Sequence, residues 1–279
     1  MERLFLSLQR QTDKRFEWVI ADDGSTDGIE EAVDGMKSRA DGFEILFLKK
    51  ENGGKHTALN YAYPYLKGDY TLIIDSDDYL VDDAVESIYR MIEEIGDDES
   101  FAGIAGDRGS APGGENADYV DCTSLERPKH RIFGEKAEVF RTDILRRYPF
   151  PVFEGEKMIP ESVVWSRIAL DGYRLRWYSK VLVILEYLPD GLTRQGMKSR
   201  CMKNIHGYLR DCAITGKHEG FPYGIIYRGF VFRVARKHGL TYKDIEKEAD
   251  TSFAVIIAAL CVNSLMNIYR KIKKRKEIL

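Results

Sequence analysis

Short apolar runs alternate with amphipathic stretches along the first 105 residues of the chain. The apolar runs predict buried strands at residues 16–21, 43–48, 70–74 and 101–105. The stretches around them place apolar residues at helical spacing and predict helices at residues 2–11, 27–40, 55–65 and 82–95. Strands that alternate with helices favour an α/β fold in which a parallel sheet is covered on both faces.

The pattern is less regular beyond residue 106. Gly106 to Gly114 is rich in glycine and predicts a loop. A helix is predicted over 160–170 and a long strand over 174–188, and from residue 195 the chain is helical. We therefore predict two domains, at residues 1–190 and 191–279, the second of them a helical extension.

The composition narrows the class of protein. The 279 residues carry a formal net charge of −3, so no overall basic field directs the chain to nucleic acid. The four cysteines form no CxxC pair and predict isolated, reduced thiols. Residues 1–5 lack the apolar stretch of a signal peptide. Together these features predict a cytoplasmic protein.

A run of acidic residues follows the predicted strand at 70–74. It consists of Asp75, Ser76, Asp77 and Asp78. Carboxylates this close together repel each other, and a divalent cation would neutralise them. Mg²⁺ is commonly held by one or two carboxylates together with substrate phosphates. A solvated loop that caps the next helix explains the run equally well.

Two further loops follow predicted strands. Asp22 and Asp23 come after the first run, and a carboxylate there could accept a hydrogen bond from a nucleobase N–H. Asn52 precedes two glycines, whose backbone N–H groups could face an anion at the start of a helix. Lys55 adds a cation suited to a diphosphate. Each loop alone could also be an ordinary turn between a strand and a helix.

The order of these motifs is more specific than any one of them. Over roughly residues 1–190, the chain resembles the GT-A-fold glycosyltransferases of family 2. The resemblance rests on the order strand–DDGSTD–helix, strand–NGGKHTALN–helix and strand–DSDD. The resemblance implies a Rossmann-type sheet flanked by helices and a nucleotide-diphosphate-sugar donor, a UDP-sugar above all. It implies that Asp75 and Asp77 hold Mn²⁺ or Mg²⁺, with Asp78 sharing the role, and that Asp22 contacts the base. The implied donor-binding residues are Asp22, Asp23, Asn52, Lys55, Asp75, Ser76 and Asp77.

The family also places a catalytic base at an Asp that opens a later helix, with an Arg six residues on and a Gly five beyond that. Glu161 occupies this position here, followed by Arg167 and Gly172. The acid that normally precedes the base is replaced by Pro160. The resemblance therefore implies inverting transfer, in which Glu161 deprotonates an acceptor hydroxyl. The alternative is that Glu161 has no catalytic role and is simply a carboxylate that the helix dipole favours at the N-terminal end of a helix. Arg194 or Arg200 could add positive charge near the phosphates or the acceptor, although a solvated surface position is favoured for each.

One part of the family pattern is absent. Family members begin with a strand and a Pro-Thr-Tyr-Asn type of loop ahead of the helix that here starts at Met1. The fold prediction is therefore a GT-A-like sheet without its first strand, whose loss would expose the edges of its neighbours. Either the gene start was assigned at an internal Met, or the chain is truly truncated.

The C-terminal region combines an apolar run at 253–262 with a basic run at 270–276. A spanning helix needs roughly 20 predominantly apolar residues, and polar residues interrupt this run. A buried helix, a helix at the membrane surface and a true span stay open. The basic run suits an anionic cytoplasmic membrane surface, so peripheral contact with the inner face of the cell membrane is one expectation.

Three functions compete. The first is sugar transfer to a saccharide or lipid-linked acceptor in bacterial surface polysaccharide or glycolipid synthesis. The second is a catalytically inactive protein that binds nucleotide sugars, which the missing strand and Pro160 would explain. The third is a sugar nucleotidyltransferase, which would need a Gly-rich, basic signature near its first strand, and none is visible. The sequence favours the transferase.

Overall fold

The computed structural model describes residues 1–113, 119–185, 196–214, 218 and 223–276. The chain divides into two compact units, Met1–Pro149 with Ile168–Gly191, and Phe150–Arg167 with Leu192–Leu279. Residues 150–167, which the sequence grouped with the first domain, thus belong to the second unit. The domain boundary at residue 190 stays a prediction.

The first unit contains a helix-flanked sheet system. Its strands are β1 (Glu17–Asp22), β2 (Glu44–Lys49), β3 (Tyr70–Leu72), β4 (Tyr79–Leu80), β5 (Phe101–Gly109), β6 (Tyr119–Cys122), β7 (Lys136–Arg141) and β8 (Arg174–Ile184). Its helices are α1 (Glu2–Gln9), α2 (Ile29–Arg39), α3 (Lys55–Ala62), α4 (Ala84–Ile95) and α5 (Thr142–Arg147). The predicted loop at Gly106–Gly114 was wrong at its start, because β5 continues to Gly109.

The second unit is helical where it is described. Helix α6 (Ser162–Leu170) includes residues of both units. The others are α7 (Gly196–Lys203), α8 (Ile205–Ile214), α9 (Tyr223–His238), α10 (Tyr242–Glu248) and α11 (Phe253–Lys276). The helical C-terminal extension is confirmed.

The strands form two separate sheets. Strands β1 and β2 pair in parallel, from Glu17 opposite Glu44 to Asp22 opposite Lys49. The larger sheet has the order β3-β7-β5-β8-β4, and β6 also pairs with β8. Among the described strands of that sheet, only β5 and β8 run parallel to each other. The α/β class is therefore confirmed, but the expectation of a parallel sheet was wrong. The chain between β5 and β7 has no α-helix among its described residues to return it in the same direction, and β7 therefore lies antiparallel to β5.

Helices α1 and α4 cover the core of the first unit. The apolar face of α1 buries Leu4 and Leu8, and α4 buries Met91 completely. These side chains belong to one cluster with Ile104 of β5 and Leu182 of β8. Burial of an aliphatic side chain of this size stabilises a fold by roughly 1.5–3 kcal/mol, so the cluster fixes both helices on the sheet.

An apolar cavity of about 420 Å³ lies between the edges of β1 and β3. It is lined by both strands, including Trp18 and Val19 of β1 and Thr71 of β3, and by apolar residues of α1, α3 and α4. Of the strands that the structure describes, β1 pairs with β2 alone and β3 with β7 alone. The gap agrees with the expectation of a sheet that lacks one strand at this place.

The second unit has its own core. Helices α8, α9 and α11 bury Leu209, Phe232, Ile256 and Ala259 to 0% exposure. A Cβ at Gly229 would lie only 2.1 Å from the carbonyl oxygen of Ala259. The absence of a side chain there lets α9 and α11 pack with their backbones close together.

Within the described ranges, none of the helices has by itself the length and apolar character to cross a membrane. One bent pair meets the criterion of length and composition, Tyr242–Glu248 with Phe253–Tyr269, at an angle of 103°.

Candidate active site

The loop after β1 carries the first acidic motif. Asp22 is 5% exposed, and its Oδ1 accepts a hydrogen bond from the backbone N–H of Ser25 at 3.0 Å. Gly24 has φ +78°, and a Cβ there would lie 2.8 Å from the backbone nitrogen of Asn52. The glycine is therefore required twice, for the left-handed turn and for the close approach of the second loop.

Asp23 joins the first and second motifs. Its carboxylate accepts the backbone N–H groups of Gly53 at 2.9 Å and Gly54 at 2.5 Å, and the ammonium of Lys50 lies at 2.8 Å. The side-chain amide of Asn52 donates to the Asp23 carbonyl at 2.8 Å. Burial alone would raise the pKa of Asp23, but these hydrogen bonds and the Lys50 charge outweigh it and lower the pKa. Asp23 and Asn52 are thus used in holding the two loops together.

The start of α3 joins the second and third motifs. Lys55 is its first residue, and its ammonium lies 2.5 Å from Oδ1 of Asp75. The side chains of Lys55 and Asp75 are each about 45% exposed, so solvent reaches the pair. Next to it His56 is 2% exposed, and burial lowers its pKa, although the charge of Asp23 acts in the opposite direction. His56 is consequently a buried, neutral packing residue at neutral pH.

The third motif is a short loop between β3 and β4. Asp75 and Asp77 are half-buried and Ser76 is exposed. Asp78 is 4% exposed, and its Oδ2 accepts a hydrogen bond from Nη1 of Arg108 at 3.0 Å. The family resemblance allowed Asp78 to share a metal ion, but its carboxylate is committed to this buried ion pair. Asp75 and Asp77 remain as the carboxylates that solvent reaches.

These two carboxylates fit a divalent cation of the Mg²⁺ or Mn²⁺ type. Such ions take oxygen ligands and are usually held by one or two carboxylates, with the rest of the coordination supplied by water and substrate phosphates. Across the ranges that the structure describes, no group of three or more His, Cys, Asp or Glu side chains forms a ready metal site. A donor set of two carboxylates that needs a phosphate to complete it is consistent with that result.

The segment around Glu161 is anchored to α8 within the second unit. The carboxylate of Glu156 is buried and accepts the backbone N–H groups of His206 at 2.7 Å and Gly207 at 2.9 Å. Oδ1 of Asn204 accepts the N–H groups of Lys157 and Met158, both at 3.0 Å. Burial raises the pKa of Glu156, while the two hydrogen bonds act to lower it. The chain ahead of Glu161 is therefore held at two points.

A third anchor follows Glu161 directly. The hydroxyl of Ser162 donates to Oδ1 of Asp211 at 2.7 Å, and the hydroxyl of Tyr227 donates to Oδ2 at 2.5 Å. Asp211 is 4% exposed. The carbonyl of Glu161 accepts the N–H of Val164 at 2.9 Å. Glu161 thus lies directly before α6, at the N-terminal end of the helix, where a carboxylate is favoured by the helix dipole.

Sequence reasoning missed Arg108, Lys50 and Asp211. Arg108 lies 30 residues from the acidic loop that it contacts, and Asp211 lies 49 residues from Ser162. No local pattern links such positions, since they meet only after the strands and helices pack. Lys50 lies two residues before Asn52, and a basic residue at this point between two motifs could have been recognised from the sequence. Arg194 lies outside the described residues.

Residues 1–143 match the model of the family described as glycosyl transferase family 2. That is half of the chain, which therefore belongs to this family. GlyA, a glycosyltransferase of Streptococcus pneumoniae serotype 4, is 38% identical over 88 residues. The match covers 32% of this chain and only 12% of GlyA.

Solved structures show the same fold. The chain resembles residues 1–349 of TarS of S. aureus in complex with UDP-GlcNAc, with a TM-score of 0.60 and 17% identity over 93% of this chain and 75% of that one. It also resembles the mannosyltransferase PcManGT of Pyrobaculum calidifontis in complex with GDP-Man and Mn²⁺, with a TM-score of 0.54 and 18% identity over 94% of this chain and 82% of that one. The prediction of a GT-A fold is confirmed.

Proposed function

We propose that this chain transfers a sugar from a nucleoside-diphosphate sugar, in the first place a UDP-sugar, to an acceptor hydroxyl. The observation that carries the proposal is the chain of contacts through the three motifs. Asp23 of the first motif binds Gly53 and Gly54 of the second, and Lys55 of the second binds Asp75 of the third. Base-binding, phosphate-binding and metal-binding candidates thus form one connected surface.

Each candidate has a separate task in donor binding. Asp22 accepts a hydrogen bond from the nucleobase. Lys55 releases Asp75 and turns its ammonium to the diphosphate, where it stabilises the negative charge that develops on the leaving group. Asp23 and Asn52 keep the two loops in register, so their effect on the donor is indirect. TarS and PcManGT, which have the same fold, were solved with UDP-GlcNAc and with GDP-Man and Mn²⁺, which supports this class of donor.

Asp75 and Asp77 would hold a divalent cation, with Ser76 between them. When bound, that ion supplies positive charge to the diphosphate oxygens as the bond to the sugar breaks. The complex of PcManGT with Mn²⁺ supports this choice of ion.

Glu161 is the proposed general base. It takes the proton of the acceptor hydroxyl, whose oxygen attacks the anomeric carbon while the bond to the diphosphate breaks and its electron pair leaves with the phosphate oxygen. One attack of this kind inverts the anomeric centre. The acceptor is proposed to be a saccharide or a lipid-linked sugar, and the location cytoplasmic.

The test is donor turnover with Mn²⁺, with release of UDP from a panel of UDP-sugars as the readout. Asp77→Asn and Glu161→Gln should each reduce turnover by about 10²-fold or more. Asp34→Asn is a matched control, because Asp34 is an exposed acid on α2. Donor binding without turnover in the unsubstituted protein would favour the inactive binding protein instead.

A further inference from the structure

The outer face of α11 is apolar and exposed. Its large side chains lie at helical spacing, and the exposed ones are Phe253 at 50%, Ile257 at 36%, Leu265 at 66%, Ile268 at 56% and Tyr269 at 61%. Cys261 is exposed in the same row. We call this set the outer stripe.

The opposite side of α11 is already used for packing. Ile256, Ala259 and Asn263 are buried there, and α11 packs on α9 through the close approach at Gly229. With about 100° between successive residues, the outer stripe lies on the side of the helix away from these three. A helix on the surface of a globular protein normally turns charged and polar groups outward. Here the sequence from Ser252 to Tyr269 contains no Asp, Glu, Lys or Arg.

Positive charge begins where the outer stripe ends. Six of the seven residues from Arg270 to Lys276 are Lys or Arg, in a chain whose formal net charge is −3. The helix continues through this basic run to Lys276. An apolar face that is continuous with a basic segment is complementary to an anionic lipid surface, which offers acyl chains and negative headgroups together. A second copy of α11 would cover the apolar face but would leave the basic run without a negative partner.

We propose that α11 binds in the plane of an anionic membrane, with the outer stripe against the acyl chains and residues 270–276 against the headgroups. The apolar part, 253–269, is about 25 Å long at 1.5 Å per residue. That is short of the hydrocarbon thickness of roughly 30 Å, and the inner face of α11 is occupied by the protein. Both facts favour a helix that lies at the surface.

The experiment uses the full chain and its own cysteines. Cys261 is exposed, whereas the other three cysteines are buried, so a thiol-reactive, environment-sensitive dye labels the outer stripe selectively. We expect the dye emission to shift to the blue with vesicles of phosphatidylcholine and about a quarter phosphatidylglycerol, and not with phosphatidylcholine alone. Unlabelled protein should float with the anionic vesicles at about 0.1 M salt and be largely released at about 1 M.

Two variants and a control decide the assignment. Leu265→Glu with Ile268→Glu should lower the vesicle-bound fraction more than about tenfold, with an unchanged circular dichroism spectrum because both side chains are exposed. Replacement of Lys273 and Lys274 by Glu should lower it as well. Phe133→Glu is the matched control, since Phe133 is 67% exposed on the other unit, and it should bind like the unsubstituted protein.

Three results would overturn the proposal. The first is an unsubstituted chain that does not float with anionic vesicles. The second is undiminished binding of the Leu265→Glu, Ile268→Glu variant. The third is a lipid-free dimer that these substitutions convert to a monomer, without vesicle binding, which would make the outer stripe a self-association surface. None of these results depends on sugar transfer.

Discussion

Arg108 and Asp78 form a buried ion pair beneath the acidic loop. Nη1 of Arg108 lies 3.0 Å from Oδ2 of Asp78, and the side chains are only 10% and 6% exposed. The same guanidinium donates to the carbonyl oxygens of Ile73 and Lys136, both at 2.9 Å. Arg108 therefore fixes both ends of the loop that carries Asp75 and Asp77 and ties it to β7.

Replacement of Arg108 by Gln should destabilise the protein by about 3–5 kcal/mol, because it leaves the carboxylate of Asp78 buried without its cation. Urea unfolding followed by circular dichroism measures the effect. The double variant Arg108→Gln, Asp78→Asn should lose clearly less than the sum of the two single variants. Additive losses would show that the two charges do not interact.

Lys55 should influence the metal and the donor in opposite directions. Because its ammonium lies 2.5 Å from Oδ1 of Asp75, where it competes with a cation, Lys55→Met should bind Mn²⁺ more tightly in the absence of donor. The same variant should raise the KM for the donor about tenfold or more, since it removes a charge from the diphosphate. Electron paramagnetic resonance of free Mn²⁺ and initial rates give the two values. Lys49→Met, which breaks an exposed pair with Glu30, should change neither.

Asp23 should make the stability of the fold depend on acidity. Its pKa is lower in the folded protein than the ordinary value of 3.8, so its ionised form stabilises the fold above that value. The stabilisation is lost as the pH falls through the lowered folded pKa. The gap in unfolding free energy between the unsubstituted protein and Asp23→Asn should therefore be largest near neutral pH and shrink below about pH 4. A gap that is constant with pH would contradict the role of the charge.

Asp211 should act on turnover through the position of Glu161. Asp211 accepts a hydrogen bond from the hydroxyl of Ser162, the residue that follows Glu161. Asp211→Asn should therefore lower kcat about tenfold and leave the KM for the donor unchanged. In a Glu161→Gln background the same substitution should cause no further loss. A further loss of equal size would indicate a general structural effect. Tyr242→Phe, on α10, is the control.

The sequence located the motifs but could not show how they are joined. The DDGS, NGG and DSDD loops were predictable because each follows an apolar run of strand length. The mixture of parallel and antiparallel strands in the larger sheet was not predictable. The sequence pattern is irregular beyond residue 106, and nothing in it indicates the direction of β7. The Arg108–Asp78 pair is a contact between a strand and a loop 30 residues apart, which requires the fold to be known. The same is true of Asp211 and Ser162.

Strand β3 illustrates the limit within a single element. Five apolar and β-branched residues, 70–74, predict one strand, yet the ladder ends at Leu72. Its pairing with β7 stops opposite Val139, and the carbonyl of the next residue, Ile73, accepts a hydrogen bond from Arg108 instead of from a strand. Local propensity predicts a strand here, and a side chain from β5 decides where it stops.

The cavity between β1 and β3 affects how this protein should be handled. Solvatochromic dyes that report unfolding by entering exposed apolar surface can also enter an apolar space of about 420 Å³ in the native state. Dye-based melting curves would then start from a high baseline fluorescence, and that baseline could be misread as a sign of a loosely folded protein. Trp18 lines this cavity, so intrinsic fluorescence is the better signal for screening nucleotide sugars by thermal shift. A blue shift of the tryptophan emission on addition of an apolar probe, absent in Trp18→Phe, would reveal occupancy of the cavity without any loss of structure.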